Sequence, residues 1–283
     1  MSALAIPDPR RFTLISELPE GLHSQVPASA YHVPVLGMVS KSALEAMVPT
    51  PAHYIAWLTA QSEERTKALA FGAAAHCAFL EPDVFLDTYA TEPDFGDLRF
   101  KVNKEKRLEF RTGNTGKMFV SAPEHAMLLG MSESIRRHPL ASAALQGGEA
   151  ELTSIWRDKE TGLKCRARAD YYVPTKRLVV DVKTCEDASV EGFSRAAFRY
   201  NYHWQHAIYR AAFPAEHFLF IAVEKSPPYA VALHQLDDAG VRAGYTKVRD
   251  LMRTMAECIA TDSWPAYADH ITTLITPKWA EGA

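Results

Sequence analysis

Asp181 and Lys183 stand two residues apart in L-V-V-D-V-K-T (178–184), a run otherwise made of residues that suit a buried strand. Burying a carboxylate or an ammonium costs several kcal/mol unless the charge is paired or bound to a metal. Strand alternation puts Asp181 and Lys183 on one face and Leu178, Val180 and Val182 on the other. In the preceding stretch K-C-R-A-R-A-D-Y-Y-V (164–173), Lys164, Arg166, Arg168 and Asp170 share one face, and Cys165, Ala167, Ala169 and Tyr171 share the other. A hairpin symmetric about Thr175 and Lys176 pairs Tyr172 with Val179 and sets Asp170 opposite Asp181. Facing Cβ atoms lie about 4.5–5.5 Å apart, where two like charges destabilise a sheet. A divalent cation between them turns that repulsion into ligation, and hard carboxylate oxygens suit Mg²⁺ or Mn²⁺. Lys183 on the same face could activate a water at that metal or offset charge developing on a phosphate. The plain alternative is a structural ion pair between Asp181 and Lys183 or a nearby arginine. Thr-Lys is not a favoured two-residue turn, but any even-length loop centred there keeps the register.

The elements that must position these groups follow from pattern. Residues 1–38 are rich in proline and lack a clear period, as in an arm or irregular cover. Ser40 can cap a helix over 41–48, and Thr50-Pro51 is an N-cap followed by proline at the first helical position. A longer helix is expected from about Glu63 to Leu80, ending before Pro82, with further helices across 121–136 and 139–146. Three strands, 151–158, 162–173 and 177–184, are then joined by tight turns. One helix is expected over 189–213, two more strands over 217–225 and 229–236, and a closing helix over 237–260. Helices followed by β-β-β-α-β give an α/β (α+β) fold with a mixed central sheet flanked by helices. The expected organisation is the arm at 1–38 and one domain at 39–283. That domain comprises a helical part 39–148, the β-β-β-α-β core 149–236, and a C-terminal helix and tail 237–283.

Composition narrows the class. Hydrophobic content of 47% and charge of 23% describe an ordinary globular chain, and the net charge of −3 argues against a globally basic nucleic-acid coat. Local basic channels remain open: Arg99, Lys101, Lys104, Lys106, Arg107 and Arg111 form one cluster, either a DNA path or a solvated helix face. Cys77, Cys165, Cys185 and Cys258 lie far apart without a C-x-x-C pair, which favours reduced thiols in the cytoplasm over disulfides or zinc. The longest apolar run, 68–80, falls short of the roughly 20 residues a membrane helix needs.

Asp170, then D181-V-K183 on the next strand, then a helix carrying Gln205, resembles the PD-(D/E)xK nuclease pattern. The wider chain resembles the RecE branch, the exonuclease VIII type. The likeness runs through S-K-S-A-L-E-A-M (40–47), P-A-H-Y-I-A-W-L (51–58), G72-x-x-x-H76-x-x-x-L80-E81-P82, Y-N-Y-H-W-Q-H-A-I-Y (200–209) and T-D-S-W-P-A-Y (261–267). It implies a restriction-endonuclease-like core. Asp170 and Asp181 would be metal-binding carboxylates, the Val182 carbonyl a further ligand, Lys183 the catalytic lysine and His76 a helix-borne metal ligand. Glu151, opening the first strand, and Gln205 would join the catalytic set, with Tyr202 and Tyr209 on the Gln205 face of one helix. Arg166 and Arg168, with these tyrosines, are candidate DNA contacts; carboxylate pairing is the alternative for the arginines and core packing for the tyrosines.

His76 on an apolar helix has its own alternative as a core histidine bonded to a backbone carbonyl, and Gly72 one turn earlier suggests a close approach there. The resemblance implies Mg²⁺ as cofactor, with Mn²⁺ able to substitute. It also implies action on double-stranded DNA ends, 5′→3′ in its direction of degradation, leaving 3′ tails for a RecT-type annealing partner in phage-type recombination. A homo-oligomer, tetrameric by analogy, is implied as well. Some relatives of this fold hold an iron–sulfur cluster through a downstream cysteine trio; only Cys258 lies downstream here, so no cluster is expected. A single-strand or structure-specific nuclease, or a non-catalytic DNA-binding module of the same fold, are the competing readings.

Overall fold

The computed structural model of the chain describes residues 15–60, 67–277 and 280. In chain order the first elements are β1 (Gly21–His23), α1 (Ala28–Tyr31), β2 (Met38–Val39), α2 (Lys41–Met47), α3 (Pro51–Thr59), α4 (Lys67–Leu80) and α5 (Pro82–Thr88). Next come β3 (Tyr89–Glu92), α6 (Lys101–Gly113), β4 (Met118–Ser121), α7 (Ala122–Arg137) and α8 (Pro139–Ala144). The second half holds β5 (Glu149–Arg157), β6 (Lys164–Val173), β7 (Leu178–Cys185), α9 (Val190–Arg199), α10 (Tyr202–Ala212), β8 (His217–Glu224), β9 (Val231–His234) and α11 (Asp238–Thr261). The expected start of α4 near Glu63 lies outside the described residues.

A mixed sheet in the order β1-β5-β6-β7-β8-β9 runs through the molecule, and β2 pairs separately with β6. On one face α2, α3, α10 and α11 pack over a core that includes Leu44, Tyr54, Ala167, Val179, Trp204, Phe220 and Met255. On the other, α7 and α8 bury Met131, Ile135, Ala141 and Ala144 against Val180, Val182, Ile221 and Val223. The expected α/β class is therefore observed. The near-continuous apolar run of β7 is explained by this burial on both faces.

The hairpin between β6 and β7 has the anticipated register: Tyr171 faces Val180, Tyr172 faces Val179 and Val173 faces Leu178. A 3₁₀ turn at Pro174–Lys176 and Arg177 in the left-handed region (φ 47°) make the connection. Its four residues keep the even parity that the Thr-Lys centre required. The ladder then stops. Beyond Val180, β7 continues to pair with β8 along its whole length, while β6 pairs with β2 through Lys164 and Cys165. The sheet forks, and Asp170 and Asp181 are the first residues past the fork.

Three local expectations change. Residues 189–213 form two helices rather than one, because Asn201 adopts φ 55° between α9 and α10. Within the segment expected as an arm, the described residues 15–38 add edge strand β1 to β5, and Ile15, Leu18, Val26 and Met38 form a core with Ile155. Thr50 stands at the N-cap of α3, but its hydroxyl meets His53 Nδ1 at 2.7 Å instead of a backbone amide. Ser40 does cap α2, accepting the Ala43 N–H at 3.2 Å.

Candidate active site

Three strands contribute one carboxylate each at the same level of the sheet. The β5–β6 ladder pairs Ala150 with Tyr171 and Leu152 with Ala169, so Glu151 lies level with Asp170. Glu151 itself takes φ 52°, a left-handed conformation that is uncommon for a side-chain-bearing residue and interrupts the ladder there. β6 changes face at the same place: Ala169 and Tyr172, three residues apart, lie in one core. Regular alternation would put them on opposite faces. The strand that was expected to alternate uniformly through 164–173 is thus kinked where its carboxylate is needed.

Asp170 has two partners. Its Oδ2 accepts the Val182 N–H at 2.7 Å, which satisfies an amide that the parted ladder leaves without a strand partner. Its Oδ1 lies 3.5 Å from His76 Nδ1, carried by α4. Ligand atoms of His76, Glu151 and Asp170 all fall within 4.8 Å of one another. One imidazole nitrogen and two carboxylates form a donor set suited to a divalent cation such as Mn²⁺, Zn²⁺ or Fe²⁺, and oxygen donors also suit Mg²⁺. Burial, and after it the Asp170 charge, push the Glu151 carboxyl up to about 7, against the pull of His76 and Arg168. Repulsion of the Glu151 charge by Asp170 is of the kind that a cation held between two carboxylates relieves. The residues therefore fit a metal.

Asp181 is completely buried and does not belong to that three-residue group. Its Oδ1 accepts from Lys183 Nζ at 2.7 Å and from Gln205 Nε2 at 3.1 Å. Its Oδ2 lies against the same ammonium as an ion pair, outside hydrogen-bonding geometry. Burial drives the Asp181 carboxyl up to about 6, overcoming Lys183, and the Asp170 charge adds to the rise. Burial opposes the Lys183 ammonium too, but Asp181 and Asp170 outweigh it and hold its pKa above the ordinary lysine value. Lys183 also sits 4.8 Å from the centroid of the Tyr202 ring. Gln205 Nε2 donates to the Tyr209 hydroxyl at 3.1 Å, and Gln205 Oε1 is buried without a partner.

The structure thus gathers His76, Glu151, Asp170, Asp181, Lys183, Gln205, Tyr202 and Tyr209 about the fork. It gives some of them different work from that expected. Val182 adds to the expected role of its carbonyl an amide that donates to Asp170, and its side chain is buried in the core against α7 and α8. Tyr209 is buried behind Gln205 rather than presented at a DNA surface. Arg166 and Arg168 are buried as well: Arg166 donates to the Val33 carbonyl at 2.8 Å, and Arg168 to the Val26 carbonyl at 2.6 Å and to Thr153 at 3.0 Å. Both guanidinium groups lie over the Tyr31 ring, at 5.4 and 4.2 Å. They hold the 15–38 segment, and of the two Arg168 also reaches a site carboxylate, Glu151, at 3.6 Å. Among the described residues Gly72 meets no close neighbour at the position of a Cβ, so the expected close approach is not seen there.

Two residues near the site escaped sequence reasoning. Tyr31, from a segment without periodicity, lies within the field of Glu151 and Asp170 and screens both arginines. Glu81, in the L-E-P sequence after α4, adds a further negative charge that raises Glu151. The L-E-P motif was a usable signal for Glu81; Tyr31 had none.

A search of curated proteins finds no match. Among solved structures, one from Eubacterium rectale, named provisionally as an exonuclease, superposes with a TM-score of 0.60 at 14% identity, covering 92% of this chain and 99% of its own. That likeness shows the fold. A phage-related exonuclease from Haemophilus somnus 129PT matches 60% of this chain and 92% of its own at 15% identity; its TM-score of 0.32 is too low to bear on the fold. Residues 40–277 match the family described as a PDDEXK-like domain of unknown function, a span that begins at the cap of α2 and takes in every residue gathered at the fork. The chain belongs to this PDDEXK-like family.

Proposed function

We propose that the chain is a metal-dependent nuclease that hydrolyses DNA phosphodiesters from the ends of linear duplexes. The observation that carries the reading is the adjacency of two groups of residues. One is the His76, Glu151 and Asp170 donor set; the other is Lys183, held by Asp181 above Tyr202. A bound divalent cation, Mg²⁺ in this reading with Mn²⁺ able to substitute, would supply Lewis-acid stabilisation of the phosphate's developing charge. The chain's own residues do the rest. The Lys183 ammonium presents a fixed positive charge beside the carboxylates, which favours the pentavalent phosphorane charge over the ground state. Asp181 keeps that ammonium in place, and Gln205, braced by Tyr209, keeps Asp181 in place.

The finer reading follows the RecE resemblance: 5′→3′ degradation leaving 3′ single-stranded tails, transfer of those tails to a RecT-type annealing protein in phage-type recombination, and assembly as a homo-oligomer, tetrameric by analogy, in the cytoplasm. Among the described residues no helix is long and apolar enough to cross a membrane. The test is an end-labelled linear duplex incubated with Mg²⁺ beside a covalently closed circle of the same sequence. The expected result is shortening of the linear DNA, an intact circle, and loss of activity in Asp181→Ala. Absence of shortening, or activity indifferent to that substitution, overturns the proposal. Cutting of the closed circle would favour a structure-specific or single-strand nuclease instead.

A further inference from the structure

β3 and β4 form a small parallel sheet of their own, separate from the main one, and α6 crosses between them. The unit is rooted in the core formed by Ala74, Ala75, Phe85, Tyr89, Val120 and Leu128. Ala74 and Ala75 directly precede His76 on α4, so this flap is built onto the helix that supplies the site's imidazole. Its root explains β3 and β4. It does not explain the outer surface of α6.

That surface combines two properties that rarely coincide on a solvated helix. The stretch 97–111 carries Arg99, Lys101, Lys104, Lys106, Arg107 and Arg111 against Asp97, Glu105 and Glu109, in a chain whose net charge is −3. Interleaved with these cations are Leu98, Phe100, Val102 and Leu108, all exposed, Phe100 and Leu108 by more than 60%. Leu98, Lys104, Arg107, Leu108 and Arg111 line a shallow, open and mostly apolar groove of about 320 Å³. Arg107 and Arg111 are fixed at its edge, each donating twice to Glu92 at 2.7–3.1 Å. Among the described residues no carboxylate pairs with Lys104.

Apolar floor, cationic edge and an unpaired lysine match a ligand with a flat apolar face and a phosphate at its side. In duplex DNA the base faces are stacked away; in a single strand they are available. We infer that the outer face of α6 is a docking site for single-stranded DNA, with a base against Leu98 and Leu108 and a flanking phosphate on Lys104. The inference rests on the nuclease reading for its substrate class. It makes the flap a holder for a strand that has been separated from its complement, next to the helix carrying His76.

Binding is measured by fluorescence anisotropy with a labelled oligo-dT and a labelled duplex of equal length, in EDTA, so that no cleavage is needed. Lys104→Gln is expected to weaken oligo-dT binding several-fold and to reduce the slope of log K against log salt by about 0.7, for one phosphate no longer neutralised. Leu108→Ser, at an exposed position, is expected to weaken oligo-dT binding several-fold and to leave duplex binding unchanged. Wild-type affinity for oligo-dT in both variants overturns the inference. So does an equal loss for oligo-dT and duplex in Leu108→Ser, which would reduce the face to a general electrostatic patch. The nuclease reading is scored separately, by duplex shortening with Mg²⁺ in the wild type. Shortening with unaltered oligo-dT binding in both variants removes the docking site alone, and a wild type that neither shortens duplex nor binds oligo-dT removes both.

Discussion

The Val182 amide donates to Asp170 Oδ2 at 2.7 Å, across the point where β6 leaves β7. One carboxylate thereby closes the end of a hydrogen-bond ladder with one oxygen and offers the other to His76 at 3.5 Å. Structure and chemistry are divided between the two oxygens of a single side chain.

That division separates two substitutions. Asp170→Ala leaves the buried Val182 N–H without an acceptor and should destabilise the fold by about 1–3 kcal/mol. Asp170→Asn keeps an oxygen for the amide and should cost less, while both variants lose a charged ligand. Urea unfolding should rank Asn above Ala in stability. Calorimetric titration with Mn²⁺ should show weakened binding in both.

Asp181 and Lys183 form a buried pair whose members depend on one another. Removing one partner of such a pair commonly costs about 3–5 kcal/mol, whereas removing both together costs less. Lys183→Met alone should therefore be the most destabilised of a double-mutant cycle, and Asp181→Asn with Lys183→Met should recover part of the loss. The cycle's coupling energy, from urea midpoints, checks this. Additive losses would mean that the charges are not coupled.

Acid stability should carry the signature of Glu92. Hydrogen bonds from Arg111 and then Arg107 hold its carboxyl at about 2, below the ordinary value of 4.5. A depressed folded pKa contributes stability that is fully present above the unfolded value and is lost as pH falls from about 4.5 through about 2. Thermal melts of Glu92→Gln should lie below wild type at pH 6, and the gap should close as pH falls across that window.

Gly244 allows α11 to lie against α10. A Cβ there would come within 2.9 Å of the His203 carbonyl carbon, and nearer still to its oxygen. Gly244→Ala should destabilise by about 1–3 kcal/mol through this overpacking. Because α10 carries Gln205, it should also lower nuclease activity. A melt and an end-labelled duplex assay on the same preparation test both effects.

The sheet and its register were legible because alternation along 164–173 and 178–184 leaves few ways to pair the two segments, and Asp170 and Asp181 follow from that pairing. The fork was not legible. It depends on β2 competing for the free edge of β6, and nothing in Met38–Val39 announces a two-residue strand. The same gap explains Arg166 and Arg168. Their spacing relative to Asp170 suggested a shared surface, but the Tyr31 ring and the carbonyls of Val26 and Val33, from a segment without periodicity, cover them. Glu151 was readable as a strand-opening acid, though its left-handed backbone was not. The break at Asn201 lay in plain view as an asparagine, a residue that tolerates φ > 0, yet helical periodicity on either side concealed it.

The family match starts at residue 40, but the folding unit does not. A fragment cut at residue 38 would lose the Val26 and Val33 carbonyls and the Tyr31 ring together, and two guanidinium groups, that of Arg168 beside Glu151, would be left facing water. Such a fragment would have gained a basic surface next to its acidic centre, and the nucleic-acid affinity it gained there would belong to the cut rather than to the protein.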